Sequence, residues 1–244
     1  MFTNKILERI SRGEKALGLS MSDPSVELVE LAGRMGLDFV GFDGQHSPIT
    51  PERVEQLCTV ADGFGITPTM RIPDGQESTI LSYLDRGIRQ ITVPNLQTKK
   101  EAEALVKYVY FAPLGLRSAT SIRMVFNQEG GDRTKLFEDV NANTMITPQL
   151  ESYTSYENLD EILTVDGIGG FGGGKEDMAQ SLGLPGQHAS QEVEDVYVKI
   201  KEKVRASGKI WVEDSIETVA VFGSIMEDCQ ELLEKHGRKS ELGW

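Results

Sequence analysis

Cysteine is scarce in this sequence, which has only Cys58 and Cys229 among its 244 residues. Both fall inside segments with a helical pattern of apolar residues, as small buried side chains do. A disulfide-rich secreted domain is therefore excluded. Reduced thiols are typical of the cytoplasm, and we expect a cytoplasmic location.

Long apolar runs and an excess of cations are also missing. No stretch approaches the roughly 20 apolar residues of a membrane-spanning helix, so we expect no membrane partner. Residues 1–13 mix charged and apolar side chains, which predicts a short leading helix and not a secretory signal. The sequence has 25 Lys and Arg residues and 38 Asp and Glu residues, which gives a net charge of −13. This balance argues against a nucleic-acid partner, which requires clustered cations.

Short β-branched runs alternate with amphipathic segments, the pattern of repeated βα units on a parallel sheet. For a chain of 244 residues it predicts one domain over residues 1–244, an α/β fold of the TIM-type (β/α)8 barrel class. Strands are predicted at residues 16–22, 37–42, 66–70, 90–93, 145–150, 167–172, 210–212 and 218–222. Helices are predicted at 25–35, from Thr50, around residues 80–84 and ending before Gly87, from Thr98, and at about 156–163 and 190–205.

Two segments break this pattern. Residues 112–143 are rich in Gly, Arg and Asn, and a loop of that length in a compact domain is usually a lid or a contact region. Near the C-terminus, residues 213–217 alone separate the last two predicted strands. A parallel crossover needs roughly a dozen residues or more. We therefore predict that one βα unit near the C-terminus is shortened or missing.

Reactive groups in such barrels lie just beyond the carboxyl ends of the strands. The polar side chains at these positions are Asp43, His46, Arg71, Asn95, Gln149, Glu151 and Asp177. Glu151 and Asp177 come from separate strand ends, and two such acids can hold Mg²⁺ or Mn²⁺ while leaving coordination open for a substrate. The alternative for either acid is a helix N-cap or a surface charge.

His46 and Arg71 are the candidate base and anion-binding group. His46 lies in a polar turn after a buried strand, with Asp43 near enough to orient its imidazole, and an oriented neutral histidine is a suitable base near neutral pH. The alternative is a loop histidine that bonds only to backbone. Arg71 leaves an apolar strand and can bind a carboxylate or enolate oxygen with two parallel donors. The alternative is a salt bridge to Asp43 or Asp85.

Residues 169–177 form a glycine-rich strand-to-helix turn with the sequence GGFGGGKED. Backbone N–H groups around Gly174 could bind a carboxylate, or the segment could be a simple tight turn. It is not a nucleotide-binding fingerprint, because neither GxGxxG with a later acid nor a Walker lysine followed by Ser or Thr is present in the right context.

Six motifs occur in order along the chain: Asp-Gly-Gln-His at 43–46, Met-Arg-Ile-Pro at 70–73, Leu-Asp-Arg-Gly at 84–87 with Ile-Thr-Val-Pro at 91–94, Pro-Leu-Gly-Leu-Arg at 113–117, Gln-Leu-Glu-Ser at 149–152 and Asp-Met-Ala-Gln-Ser-Leu-Gly at 177–183. Together they resemble the HpcH/HpaI aldolase family, the class II pyruvate aldolases of the phosphoenolpyruvate/pyruvate barrel superfamily. The resemblance runs from about residue 17 to residue 208, and motifs in register are far more specific than any one of them.

The resemblance implies roles for the strand-end residues. Glu151 and Asp177 would hold the divalent metal, Mg²⁺ or Mn²⁺. His46 would be the base, supported by Asp43, and Arg71 would clamp the pyruvyl oxygen.

It also implies a set of substrate contacts. Gln149 would line the pyruvate site, and backbone N–H groups near Glu176 and Asp177, just beyond Gly174, would hold the substrate carboxylate. Asp85 would support the arrangement of the base and the arginine. Lys175 departs from the usual family sequence and would add a cation beside the carboxylate site, which would suit a dianionic substrate or partly replace the metal.

The implied activity is that of a metal-dependent class II aldolase. It would form or cleave the carbon–carbon bond of a 4-hydroxy-2-oxo acid, giving pyruvate or a related 2-oxo acid and an aldehyde through an enolate. One alternative is a citrate-synthase-like enzyme that condenses acetyl-CoA with oxaloacetate without a metal. The other is a degenerate barrel that binds a 2-oxo acid or a partner protein without catalysis. Exchange of the last helices between subunits, common in the family, implies a homo-oligomer.

Overall fold

The computed structural model describes residues 3–120, 123 and 131–240. Within these ranges it has eight strands: β1 Ala16–Met21, β2 Phe39–Asp43, β3 Thr67–Arg71, β4 Gln90–Thr92, β5 Met145–Ile146, β6 Gly170–Phe171, β7 Ile210–Trp211 and β8 Ile216–Ala220. Strands five and six are shorter than predicted, because regular pairing stops after Ile146 in β5 and begins only at Gly170 in β6. Gln149 and Gly172 still pair through an isolated parallel bridge.

Helices follow most of the strands. They are α1 Lys5–Ser11, α2 Val26–Arg34, α3 Pro51–Phe64, α4 Glu77–Leu84, α5 Lys99–Val109, α6 Arg133–Ala142, α7 Tyr153–Glu157, α8 Leu159–Ile162, α9 Lys175–Ser181, α10 Gln191–Ala206, α11 Val212–Ser215 and α12 Val221–Lys235. None of those described is long and apolar enough to cross a membrane.

Parallel pairing arranges the strands as a TIM-type barrel. Six strands form a sheet in the order β5-β4-β3-β2-β1-β8, and β6 pairs with β7. The bridge between Gln149 and Gly172 joins the two sheets, with a hydrogen bond from the Leu150 N–H to the Gly172 carbonyl at 2.9 Å. Because all strands run in one direction, their carboxyl ends meet at one rim, which is where the predicted reactive residues lie.

The predicted shortening near the C-terminus is confirmed. Only the four-residue helix α11 separates β7 from β8, too few residues for a crossover. No pairing between these two strands is found among the described residues. The last predicted strand also shifts: β8 runs from Ile216 to Ala220 because its register with Ala16–Ser20 of β1 fixes its bounds.

The helices that cover the barrel follow the predicted periodicity. In α3, Val54, Leu57, Cys58 and Ala61 are all fully buried, and each large apolar side chain removed from water contributes about 1.5–3 kcal/mol. The helix begins after Thr50, whose side chain accepts a hydrogen bond from the Arg53 N–H. Burial of this apolar face holds α3 against the barrel and so helps to position the neighbouring strands and their ends.

Besides the short α11, two longer helices were not predicted. The irregular segment 112–143 contains α6, which packs Leu136 against Phe111; residues 121, 122 and 124–130 of that segment lie outside the described residues. Beyond β8, α12 has no buried residue, although Phe222 and Ile225 are large and apolar. An amphipathic helix whose apolar face is uncovered within its own chain is hard to identify from the packing pattern alone.

Candidate active site

The carboxyl ends of β2 and β3 bring Asp43 and Arg71 together as register partners. Arg71 donates two hydrogen bonds to Asp43, from Nε at 3.1 Å and from Nη2 at 2.6 Å. Burial by itself would raise the pKa of Asp43, but the hydrogen bonds and charge of Arg71 outweigh it and hold the pKa below its usual value. The salt bridge to Asp43 considered above is therefore present. Within the described ranges, Nη1 of Arg71 has no partner.

The turn that carries His46 is held against Arg71 through backbone contacts. The Gly44 N–H donates to the Arg71 carbonyl at 2.7 Å, and a Cβ on Gly44 would collide with the Met70 side chain. Asp43 accepts hydrogen bonds from the N–H groups of Gln45 and His46, at 3.0 and 3.3 Å. Asp43 thus holds the backbone of the turn and does not orient the imidazole as expected. The exposed His46 ring makes no hydrogen bond in the described part of the chain.

Glu151 and Asp177 converge at Gly174. A Cβ on Gly174 would lie 2.6 Å from Glu151 Oε2 and 3.5 Å from Asp177 Oδ2, so the two oxygens are separated by at most the sum of these distances. Glu151 is 3% exposed, whereas Asp177 is exposed in the first turn of α9. A side chain at position 174 would have to displace the Glu151 carboxylate.

The electrostatics of Glu151 link the rim residues. Burial raises the pKa of its carboxyl, and the charge of Asp177 raises it further. A hydrogen bond of 2.8 Å from the Asn95 N–H and the charge of Arg71 oppose this rise. Arg71 and the acid pair therefore act on one another across the same rim.

The acid pair fits a divalent cation. Two carboxylates that repel each other beside a position with no side chain provide hard oxygen ligands and space, and Mg²⁺ commonly uses one or two carboxylates plus water and substrate oxygens. Over the described ranges, no group of three or more His, Cys, Asp and Glu side chains is placed to hold a metal. A metal at this rim would have only Glu151 and Asp177 as carboxylate ligands, together with water and substrate oxygens, and this role stays a prediction.

Gln149 and Tyr197 contact the neighbouring Gly173 from two sides. Gln149 Nε2 donates to the Gly173 carbonyl at 3.4 Å, and a Cβ on Gly173 would collide with the Tyr197 hydroxyl. Gln149 Oε1 and the Tyr197 hydroxyl are buried without partners among the described residues. Burial, and to a smaller extent nearby carboxylates including Glu151 and Asp177, raise the pKa of Tyr197 well above its usual value.

The side chains of Lys175 and Glu176 each pair with a charged or ionisable residue. The Lys175 ammonium forms an ion pair with Glu194 and lies 5.7 Å from the centre of the Tyr197 ring. Glu176 lies 2.5 Å from His188 Nδ1. The Lys175 ammonium is therefore paired with Glu194, and its role as an extra cation beside a substrate carboxylate stays a prediction. The backbone N–H groups of this first helical turn have no acceptors within the helix, as at any helix N-terminus.

Asp85 is not brought to this rim. It follows the last residue of α4, and in a βα unit the helix ends at the amino edge of the sheet, where the next strand begins. There it accepts a hydrogen bond from Arg117 at 2.8 Å. Among the described residues, the expected support of His46 and Arg71 by Asp85 is therefore not found. The carboxyl end of a helix and the carboxyl ends of the strands lie on opposite faces of such a barrel.

Two residues near the acid pair were given no role from the sequence. Asn95 stood among the strand-end residues, but its contact comes from the backbone N–H. Tyr197 lies in α10 between the buried Val193 and Ile200, so its spacing indicated ordinary core packing. The only sequence signals were an asparagine, which tolerates left-handed backbone, and a run of glycines that allows close approach.

Fold and site together define a (β/α)-barrel enzyme with a carboxylate pair, an arginine and a histidine-bearing turn at its carboxyl rim. The family model described as HpcH/HpaI aldolase/citrate lyase matches residues 18–240. The chain belongs to this family.

Similar proteins agree with that assignment. The 2-keto-3-deoxy-L-rhamnonate aldolase of Escherichia coli O6:K15:H31 (strain 536 / UPEC) is 30% identical over 209 residues, 86% of this chain and 78% of the relative. The citrate synthase SbnG structure has a TM-score of 0.82 at 25% identity, covering 97% of this chain and 98% of that one. The HpcH/HpaI aldolase of Desulfitobacterium hafniense DCB-2 has a TM-score of 0.85 at 20% identity, covering 98% of each chain, and shows the shared fold. By family and relatives, the chain is an enzyme of the aldolase class, the carbon–carbon lyases.

Proposed function

We propose that this enzyme is a metal-dependent class II aldolase. It cleaves a 4-hydroxy-2-oxo acid into pyruvate, or a related 2-oxo acid, and an aldehyde, and catalyses the reverse addition. The observation that carries the proposal is the convergence of Glu151 and Asp177 at Gly174, on the rim that also holds Arg71. The similarity to the E. coli aldolase supports a substrate of this class.

Glu151 and Asp177 would hold Mg²⁺ or Mn²⁺ through their carboxylate oxygens. When bound, the metal acts as a Lewis acid toward the negative charge that develops on the substrate. Asp177 is exposed to solvent and Glu151 is buried. One side of the pair is therefore accessible to a small molecule.

The remaining residues bind the 2-oxo acid and move its protons. Arg71 is fixed by Asp43 through Nε and Nη2, which leaves Nη1 to donate to an anionic substrate oxygen. The N–H groups at the start of α9, from Gly174 to Asp177, would receive the substrate carboxylate. Gln149 lines the same position with Oε1, which has no partner among the residues that the structure describes. His46 would remove the proton next to the keto group and return it to the product.

A citrate-synthase-like activity is the second candidate, supported by the similarity to citrate synthase SbnG. That reaction would need a site for oxaloacetate, which carries one more carboxylate than pyruvate. Lys175 was the cation expected to serve it, and it forms an ion pair with Glu194 that oxaloacetate would have to displace. This pairing favours the aldolase over the synthase, and the retained acid pair, Arg71 and His46 favour both over a non-catalytic barrel.

Proton exchange separates the two activities. An aldolase should exchange the methyl protons of pyruvate in D₂O without an aldehyde, lose exchange after chelation and regain it with Mg²⁺ or Mn²⁺. His46→Ala should abolish exchange, whereas His236→Ala, an exposed histidine at the end of α12, should not. If chelated protein shows no exchange before or after metal is restored, yet releases free CoA from acetyl-CoA and oxaloacetate, the synthase replaces the aldolase.

We further propose that the enzyme is a homo-oligomer in the cytoplasm. The apolar side chains of α12 include Phe222, Ile225 and Leu232, which are 63%, 55% and 59% exposed. Large exposed apolar faces are typical of contacts between chains. Cys58 and Cys229 are both free thiols, which supports a reducing compartment.

A further inference from the structure

Asn95 has a backbone conformation that is unusual for its residue type. It follows β4 at the carboxyl rim with φ of +52°, the one positive value found for a non-glycine residue in the described ranges. This left-handed region is disfavoured by a Cβ and is tolerated by few residues apart from glycine and asparagine. Asn95 is exposed, so burial of its side chain in the core does not account for this backbone conformation.

The conformation directs two successive N–H groups at residues 149–151, in the segment that follows β5. The Asn95 N–H donates to Glu151 Oε1 at 2.8 Å, and the Leu96 N–H donates to the Gln149 carbonyl at 3.1 Å. Adjacent N–H groups that point the same way are a known backbone arrangement for holding anionic oxygens. These two hydrogen bonds thus join the turn after β4 to the segment that carries Glu151.

The hydrogen bond from the Asn95 N–H determines the orientation of the Glu151 carboxylate. With Oε1 held by Asn95, Oε2 is the oxygen that faces Gly174 and Asp177 Oδ2. A free carboxylate could rotate about its terminal bond and lose this alignment. The side chain of Asn95 has a separate contact, accepting a hydrogen bond from Gln97 Nε2 at 3.0 Å.

We propose that Asn95 is a positioning residue that, through its left-handed backbone and N–H, orients Glu151 for binding a divalent cation together with Asp177. The proposal rests on the proposed function, in which these two acids hold the metal. Partners that orient ligand side chains commonly change metal affinity by about 10- to 100-fold when they are removed.

The test is Mn²⁺ affinity, measured by calorimetry on chelator-treated full-length protein. Asn95→Val, whose branched side chain resists the left-handed region, should weaken Mn²⁺ binding about tenfold or more. Asn95→Gly, which adopts that conformation freely, should retain the affinity. Gln97→Ala removes only the side-chain contact of Asn95 and should bind Mn²⁺ like the wild type. Melting temperatures of the metal-free proteins are recorded alongside.

Wild-type Mn²⁺ affinity in Asn95→Val would overturn the proposal, and so would equal weakening in Asn95→Val and Asn95→Gly. A residue with only a structural role would lower the melting temperature and leave the affinity unchanged. If Asn95→Val does not fold, Asn95→Ala decides the question by the same criteria, with a smaller loss of affinity expected. Glu151→Gln distinguishes a failure of the metal site from a failure of the Asn95 proposal. Retained Mn²⁺ affinity in that variant would show that the proposed metal site itself is wrong.

Discussion

Replacing Glu151 by glutamine tests the acid pair directly, because it removes one charge and keeps the shape of the side chain. The glutamine can still accept the 2.8 Å hydrogen bond from the Asn95 N–H. The repulsion from Asp177, which faces Glu151 at Gly174, is lost. We therefore expect the metal-free protein to become more stable and metal binding to become weaker.

The pH dependence of the first effect follows from the raised pKa of Glu151. Burial and Asp177 raise this pKa in the folded state, so the protonated carboxyl favours folding. That contribution is complete below the unfolded pKa, near 4.3, and is lost as the pH rises through the folded value. Glutamine is neutral throughout. The stability advantage of Glu151→Gln should therefore be present near neutral pH and shrink as the pH falls toward about 4.

The second effect can be given a size. A ligand at 100 times its dissociation constant stabilises the folded state by about 2.7 kcal/mol. For a domain of this size, that corresponds to a rise in melting temperature of about 5 to 11 °C. Glu151→Gln and Asp177→Asn should each lose most of this rise, since one carboxylate cannot hold a hard cation as a pair does.

Differential scanning calorimetry of chelated protein, with and without added Mn²⁺, measures both effects. Asp160→Asn is the matched control, because Asp160 pairs with Lys203 on the surface and takes no part in the site. The reasoning is refuted if Mn²⁺ raises the melting temperature of Glu151→Gln as much as that of the wild type. A metal-free Glu151→Gln protein less stable than metal-free wild type near neutral pH would also contradict it.

Three further substitutions have defined outcomes. Arg71→Lys should lower kcat on the order of 10²-fold, because an ammonium cannot both pair with Asp43 in two places and donate to a substrate oxygen; near-wild-type turnover would make Arg71 structural. Tyr197→Phe should leave the free energy of unfolding in urea within about 1 kcal/mol of wild type, since the removed hydroxyl is buried without a partner in the described part of the chain; a larger loss would reveal a partner. Phe222→Asp should reduce the mass in sedimentation equilibrium by placing a charge on the exposed apolar face of α12, and an unchanged mass would exclude that face as the contact.

The sequence was sufficient for the alternation of strands and helices and for the residues at the strand ends. These features are local: a buried strand followed by Asp43, or a helix with Val54, Leu57 and Ala61 on one side, is visible in a short window. Parallel strands then bring their carboxyl ends to one rim whatever the details of packing. The shortened unit before β8 was also predictable, because residue spacing alone rules out a crossover.

Tertiary structure decided which of these side chains act on one another. The convergence of Glu151 with Asp177 depends on Gly174 having no Cβ. The pairing of Lys175 with Glu194 depends on the packing of α10. The place of Asp85 depends on the face of the barrel at which α4 ends. The orientation of Glu151 depends on the backbone of Asn95, and the bounds of β8 depend on its register with β1. Hydrogen-bond partners far apart in the chain are fixed by register and by the direction of helix ends, which a local pattern of residue types does not contain.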